Sequence, residues 1–175
     1  PLGDLCLDGV HFLNDVASAP GGRLYFTDTG GEEAPGAVYL LRPSADVPQT
    51  VILADGTVLK GEELGGPNGV FADERGLYLA TYRSGELSRI APDGDREQIL
   101  PPSELGLDGV TSTEEGAILV SSWGDSAVYR VEADGGLLPI LEDVESPADI
   151  GFDLARDRVL VPLFGSDVVI IQEVR

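Results

Sequence analysis

Apolar and polar residues alternate along most of this chain in short bursts, and each burst is closed by Pro, Gly, Asn or Asp. The clearest series is Pro67–Ile90, PNGVFADERGLYLATYRSGELSRI. A Pro-Asn-Gly turn leads into Val70 and Phe71, and a tight turn follows at Asp73–Gly76. A second strand is expected over Leu77–Thr81, a turn over Arg83–Gly85 and a third strand over Glu86–Ile90. Period-two alternation in β-branched and aromatic residues, punctuated by turn formers, predicts an antiparallel β-meander. The same unit recurs at Leu107–Val131 and Ser146–Ile171, and an earlier copy starts at Leu13. Val70, Val110 and Ile150 are 40 residues apart, and Val16 precedes Val70 by 54. Four copies at a blade-sized period predict an all-β chain with a β-propeller or related toroidal architecture.

The units run 13–66, 67–106, 107–145 and 146–175, as one propeller domain over 1–175. The first carries four strands and an extended tail, TVILADGTVLKGEELGG. REQIL and LLPILED supply the fourth strands of the second and third units, and the last unit has three. An unpaired edge strand is an aggregation hazard, so Pro1–Phe12 reads in one of two ways. It closes a four-bladed ring by pairing with the last unit, or it is the outer strand of a blade that precedes the four.

Meander parity places the start of every inner strand on one face, beside the channel. Asn14, Asn68, Asp108 and Ala148 occupy that position. The loops leaving the second strands lie on the same face, at Asp28, Tyr82, Trp123 and Phe164. A mouth with convergent polar groups among aromatics is a default ligand site. Amide and carboxylate oxygens suit a hard divalent cation. The plainer account is that Asn and Asp beside Gly or Asp are turn residues that bond their own backbone. Spacing leaves both open. GGEEAPG and GEELGG lack the context of a phosphate cradle, and Ser121 and Ser122 have no matching histidine for a Ser-His-Asp hydrolase.

Charge narrows the partners. Thirty-one acidic residues stand against 11 basic ones, a formal net of -20, which disfavours nucleic acid and anionic membrane as partners; the mouth suits a small-molecule substrate. No apolar run approaches the ~20 residues of a membrane span. Cys6 is the only cysteine, so neither an intrachain disulfide nor a cysteine metal cluster arises. His11 stands alone and reads as structural. The sequence contains no methionine, and the compartment is left open.

The segments LNDVASAPGGRLYFTDTG, GGPNGVFADERGLYLATYRSGEL, LDGV…ILVSSWGDSAVYRV and SPADIGFD…RVLVPLFGSDVVII resemble the SMP-30/gluconolactonase/luciferin-regenerating-enzyme-like family, in particular its bacterial members, over nearly the whole chain. The resemblance implies a six-bladed propeller of which this chain supplies the last four blades. It also implies a divalent cation in the channel, Ca²⁺ or Zn²⁺ with Mn²⁺ or Mg²⁺ as alternatives. Asn68 matches one asparagine ligand, Asp108 the aspartate ligand and Asn14 a second asparagine near metal and substrate. A glutamate ligand is expected from a blade outside this sequence. The family's enzymes carry a substrate-binding arginine where Phe12 stands, which points away from a sugar-acid lactone. The expected activity is metal-dependent opening of a lactone or related ester. Asp108 would be the catalytic base, and Asn14, Asp28, Tyr82, Trp123 and Phe164 would bind substrate. The alternatives are a non-catalytic NHL-type propeller binding a peptide or small ligand, and a metal-free strictosidine-synthase-like enzyme. Four blades of six would also leave open faces, with Val38, Leu40, Val159 and Val161 expected at the exposed apolar surfaces.

Overall fold

The computed structural model describes residues 9–32, 34–41, 57–61 and 64–174, with the side chains of 57–61 excepted. Each repeat forms one antiparallel sheet whose strands pair in chain order. The first contains β1 (Leu13–Ala19), β2 (Arg23–Asp28), β3 (Gly36–Leu41) and β4 (Thr57–Gly61). The second contains β5 (Pro67–Asp73), β6 (Gly76–Thr81), β7 (Leu87–Ile90) and β8 (Arg96–Leu100). The third contains β9 (Leu107–Ser112), β10 (Ile118–Ser122), β11 (Ala127–Val131) and β12 (Leu137–Leu141). The last has three strands, β13 (Gly151–Asp153), β14 (Arg158–Leu163) and β15 (Val168–Glu173). The elements follow the alternation, and the fourth strands fall on REQIL and LLPIL as expected. Residues 42–56, in the long first repeat, lie outside the described residues.

Side-chain alternation shows how the sheets stack. On β6, Leu77 and Leu79 pack toward the first sheet with Val38, Val70 and Ile90. Tyr78 and Ala80, one residue out of phase, pack toward the third sheet with Leu107, Val110, Ile118 and Val120. On β10 the pattern repeats. Ile118 and Val120 face the second sheet, while Leu119 joins Ile150, Val159 and Val161 of the last. Successive side chains of a strand point to opposite faces, so each middle sheet is covered on both sides. A strand covered on both sides reads as an uninterrupted apolar run, as β3 does. The inner strands β1, β5, β9 and β13 neighbour one another in sequence. This is the face-to-face stacking of propeller blades.

One expectation is corrected here. Val38, Val159 and Val161 are fully buried, and Leu40 nearly so. These second- and third-strand residues pack within or between sheets instead of facing water. The exposed apolar side chains lie elsewhere: Phe12, Leu13 and Val16 at the first sheet, and Leu154, Val168, Val169 and Ile171 at the last. The described part of the segment ahead of β1 is tied to the first sheet. The amides of His11 and Phe12 donate to Asp28 (3.2 and 2.8 Å), and Thr29 N–H donates to the Phe12 carbonyl at 3.0 Å. Residues 9–12 are thus held to the first sheet's own mouth-side loop, and residues 1–8 lie outside the described residues. Among the described residues β15 pairs with β14 alone.

Candidate functional site

The Asn-Gly and Asp-Gly pairs that read as turns lie inside strands, at irregularities that recur from sheet to sheet. Pairing of β1 with β2 shifts between Leu13 and Val16, and pairing of β5 with β6 shifts between Pro67 and Val70. On β9, Leu107 opposes Ser122 while Val110 opposes Val120, so the shift falls at Asp108–Gly109. An extra residue in one strand bends it and re-aims a side chain. Three bulges at equivalent places in successive sheets carry Asn14, Asn68 and Asp108. Asn68 Nδ2 donates to Asp108 Oδ2 at 3.3 Å, so the structure brings these two predicted residues together across two blades. Asn14 stays on the solvent side, with its Nδ2 donating to Thr29 Oγ1 at 3.0 Å.

The glycines beside Asn68 and Asp108 are required by close approach. A Cβ on Gly69 would strike the Asp108 carbonyl oxygen and stand 2.9 Å from Gly109 Cα. A Cβ on Gly109 would strike the Ile150 amide and stand 2.7 Å from Asp149 Cα. Only a residue without a side chain lets one inner strand lie this near the next.

Hydroxyl groups tie the seams. Thr27 Oγ1 accepts from Asp15 N–H (3.0 Å) and donates to the Asn68 carbonyl (2.6 Å). Ser121, at the same place in the third sheet, accepts from Gly109 N–H (2.8 Å) and donates to the Ala148 carbonyl (2.9 Å). Asp15 adds a further tie, accepting from Val16 N–H (2.6 Å) and Val70 N–H (2.7 Å).

The channel side is acidic. Burial, opposed by the Asn68 hydrogen bond and assisted by the charge of Asp15, raises Asp108 to about 6. Burial, then the charges of Asp15 and Asp108, raise Asp149 to about 7. Asp149 nevertheless presents much of its side chain to solvent. Water damps its shift, so the half-buried Asp108 is the more informative carboxylate. No cationic side chain contributes to either shift. Among the described residues, no group of three or more His, Cys, Asp and Glu is set to hold a metal ion.

The mouth is rimmed by aromatics from three successive sheets. Tyr82 and Trp123 meet edge-on (centroids 5.6 Å apart, planes at 89°), and Trp123 meets Phe164 at 5.3 Å and 53°. The Trp123 indole N–H is buried without an acceptor among the described residues. Tyr82 and Phe164 are 39% and 75% exposed, so the row is open to solvent. A cleft of about 500 Å³ lies along it, lined by Tyr82, Arg83, Glu104, Gly106, Trp123 and Gly124. Asp28 is placed differently from its expected role. Its side chain is 1% exposed, and its oxygens accept from the amides of His11, Phe12 and Gly30. It is spent on holding the loop that carries Phe12. A larger cavity, about 1120 Å³, opens on the opposite face among Arg75, Tyr78, Glu97, Arg130 and Glu132, away from these residues.

Asp15, Thr27 and Thr29 are not singled out by the sequence reading, and Asp149 stands there one residue off the ring. The sequence signal was present in part. LNDV, PNGV, LDGV and PADI align Asp15 and Asp149 with the two bulge glycines.

A family model described as SMP-30/Gluconolactonase/LRE-like region matches residues 8–150. The chain belongs to the SMP-30/gluconolactonase/LRE-like family. No match is found among the curated proteins. Among solved structures, a gluconolactonase from Xanthomonas campestris is similar at 21% identity and TM-score 0.73, over 96% of this chain and 59% of that one. A calcium-binding protein, regucalcin, from Agrobacterium tumefaciens is similar at 22% and 0.63, over 85% and 52%. Virginiamycin B lyase from Staphylococcus aureus is similar at 16% and 0.63, over 93% and 52%. These likenesses show the fold, and the chain spans about half the length of several of the structures it matches.

For this SMP-30/gluconolactonase/LRE-like chain, the donor chemistry fits a hard cation. Asn14, Asn68 and Asp108 can each offer an oxygen, and no cationic side chain among the described residues contributes to the shifts of Asp108 or Asp149. Oxygen donors of this kind suit a hard divalent cation better than a thiophilic metal.

Proposed function

We propose that this chain carries the metal and substrate side of a metal-dependent hydrolase that opens a lactone or related ester at the mouth of the channel. The observation that carries the reading is the Asn68–Asp108 pair. An amide and a carboxylate from successive blades meet at 3.3 Å, on bulged strands, with the carboxylate raised to about 6. Family membership supports the reaction class. Asn68, Asp108 and Asn14 would hold the cation, with Asn68 turning its amide oxygen inward. A bound divalent cation supplies Lewis-acid polarisation of the substrate carbonyl.

The chain's own groups account for the proton. Ionised Asp108 takes a proton from the attacking water as the water oxygen bonds the carbonyl carbon. The ring C–O bond then breaks, and the leaving alkoxide recovers the proton to give the hydroxy acid. Asn14 and Asn68 orient water and carbonyl through their amides.

The rim supports an apolar or aromatic lactone in preference to a sugar acid. Phe12, 58% exposed, is carried on the loop held by Asp28, and the Tyr82–Trp123–Phe164 row continues that surface. The test is hydrolysis of aryl- or alkyl-substituted γ-lactones and of an aldonolactone, with Ca²⁺, Zn²⁺ or Mn²⁺ supplied. The expected result is preference for the apolar lactones, a loss of 10²–10⁴-fold in Asp108→Ala, and a higher KM in Trp123→Ala for aryl lactones only. An Asp108→Ala protein that keeps its lactonase activity removes Asp108 as base. A non-catalytic NHL-type propeller is the second reading, favoured by the open aromatic row. Calorimetric titration with Ca²⁺, Zn²⁺ and Mn²⁺ separates the two, because that reading expects no binding at millimolar metal.

A further inference from the structure

We infer that Thr29 is a positioning residue that fixes the Asn14 amide with its oxygen toward the channel. The inference rests on the reading of Asn14 as a ligand-side group. A side-chain amide has two ends of nearly equal size, one donating and one accepting, and which end points where follows from its partners.

Here the partners leave one answer. Thr29 Oγ1 stands 2.7 Å from the Pro67 carbonyl oxygen, which can only accept. The single hydroxyl proton of Thr29 is therefore spent on Pro67, and its oxygen is left to accept. Asn14 lies 3.0 Å from that oxygen and must present its NH₂ end. Oδ1 of Asn14 is then the end left over for a cation or a polarised water. Thr29 is itself buried and held, because its own N–H donates to the Phe12 carbonyl at 3.0 Å.

The tie also crosses the seam between blades. Pro67 is next to Asn68, so one hydroxyl links the side chain of the first bulge to the backbone beside the second. Thr27 runs in parallel two residues earlier, joining Asp15 N–H to the Asn68 carbonyl. That tie sets strand spacing and does not touch the Asn14 amide. Asn14 is solvent-exposed, and among the described residues Thr29 is the partner that selects its rotamer. Partners of this kind, one bond removed from the ligand, typically affect metal affinity 10–100-fold.

The test compares Thr29→Val, Thr29→Ser and Thr27→Val with the wild-type 175-residue chain. One readout is hydrogen exchange at the Asn14 side-chain amide by NMR, and the other is calorimetric titration with Ca²⁺ alone. The wild type and Thr29→Ser are expected to protect the amide, and Thr29→Val to lose that protection. Thr27→Val is expected to lower Tm yet keep the amide protected, which separates positioning from seam stability. Ca²⁺ affinity is expected to fall about 10–100-fold in Thr29→Val and to return in Thr29→Ser. An Asn14 amide that exchanges freely in the wild type overturns the inference, as does protection unchanged in Thr29→Val. A wild-type chain that protects the amide but takes up no Ca²⁺ rejects metal binding by the residues of this chain alone and leaves the orientation of Asn14 supported. Thr29→Val that loses protection but binds Ca²⁺ as tightly as the wild type overturns the positioning role while sparing the metal reading.

Discussion

Gly69 and Gly109 show how much of the site depends on single atoms. Each sits where a Cβ would enter the backbone of the next blade, so Gly69→Ala or Gly109→Ala is expected to cost about 1–3 kcal/mol, the range for overpacking. Urea denaturation of the two variants beside Gly94→Ala, whose Cβ would meet no atom but whose φ is +96°, separates crowding from backbone strain. Asn-Gly and Asp-Gly announce a turn in the sequence, and nothing local says that they form a bulge inside a strand instead, because the decisive contact is with a residue 40 positions away. Asp15 escaped notice for the same reason, being one residue offset from the expected ring. The acids also carry a pH signature. Burial raises Asp108 from 3.8 to about 6, and the more exposed Asp149 shifts in the same direction, damped by water, so the folded chain holds protons that the unfolded chain has released. Their contribution to stability is full below about pH 4 and is lost as pH rises through about 6. Tm is expected to fall across that window, and Asp108→Asn with Asp149→Asn to flatten the fall. Added Ca²⁺ is expected to raise Tm more at pH 8 than at pH 5. A Tm that climbs between pH 4 and 7 without metal would contradict the burial of uncompensated charge.

Strands tolerate local error better than single residues do, which is why they were legible. Uninterrupted apolar runs, LYLA in GLYLAT and ILV in ILVSS, mark strands covered on both faces, and the structure buries both. Leu79 and Leu119 are each fully buried, on faces that point in opposite directions around the propeller. Truncating either to Ala is expected to cost about 2–5 kcal/mol, measured by denaturant unfolding. Leu154→Ala, at an exposed position, is expected to stay within about 0.5 kcal/mol. Equal losses at all three would mean that the sheets do not stack face to face. The hydroxyl ties of Thr27, Thr29 and Ser121 were not legible, because Thr and Ser are ordinary strand residues until a neighbouring carbonyl is known to lie within reach.

At the scale of the whole molecule, burial is unevenly distributed around the propeller. The second and third sheets are covered on both faces, while the last presents Val168, Val169 and Ile171 on β15, whose outer edge has no partner strand among the described residues. An apolar strand with free backbone groups is a template for pairing with another chain, and contiguous apolar surface of a few hundred Å² marks an interaction or aggregation site. The net charge of -20 opposes association at long range, but salt screens it beyond about 8 Å at physiological ionic strength. Self-association of this 175-residue chain is therefore expected to strengthen with salt, the reverse of an ion-paired interface. Sedimentation velocity at 20-fold different concentrations, in about 0.02 M and 0.5 M salt, reads this directly. Val169→Lys with Ile171→Lys is expected to abolish the association while leaving Tm nearly unchanged, since both side chains already face water. A monodisperse wild-type chain under all four conditions would show that β15 is covered within the chain itself.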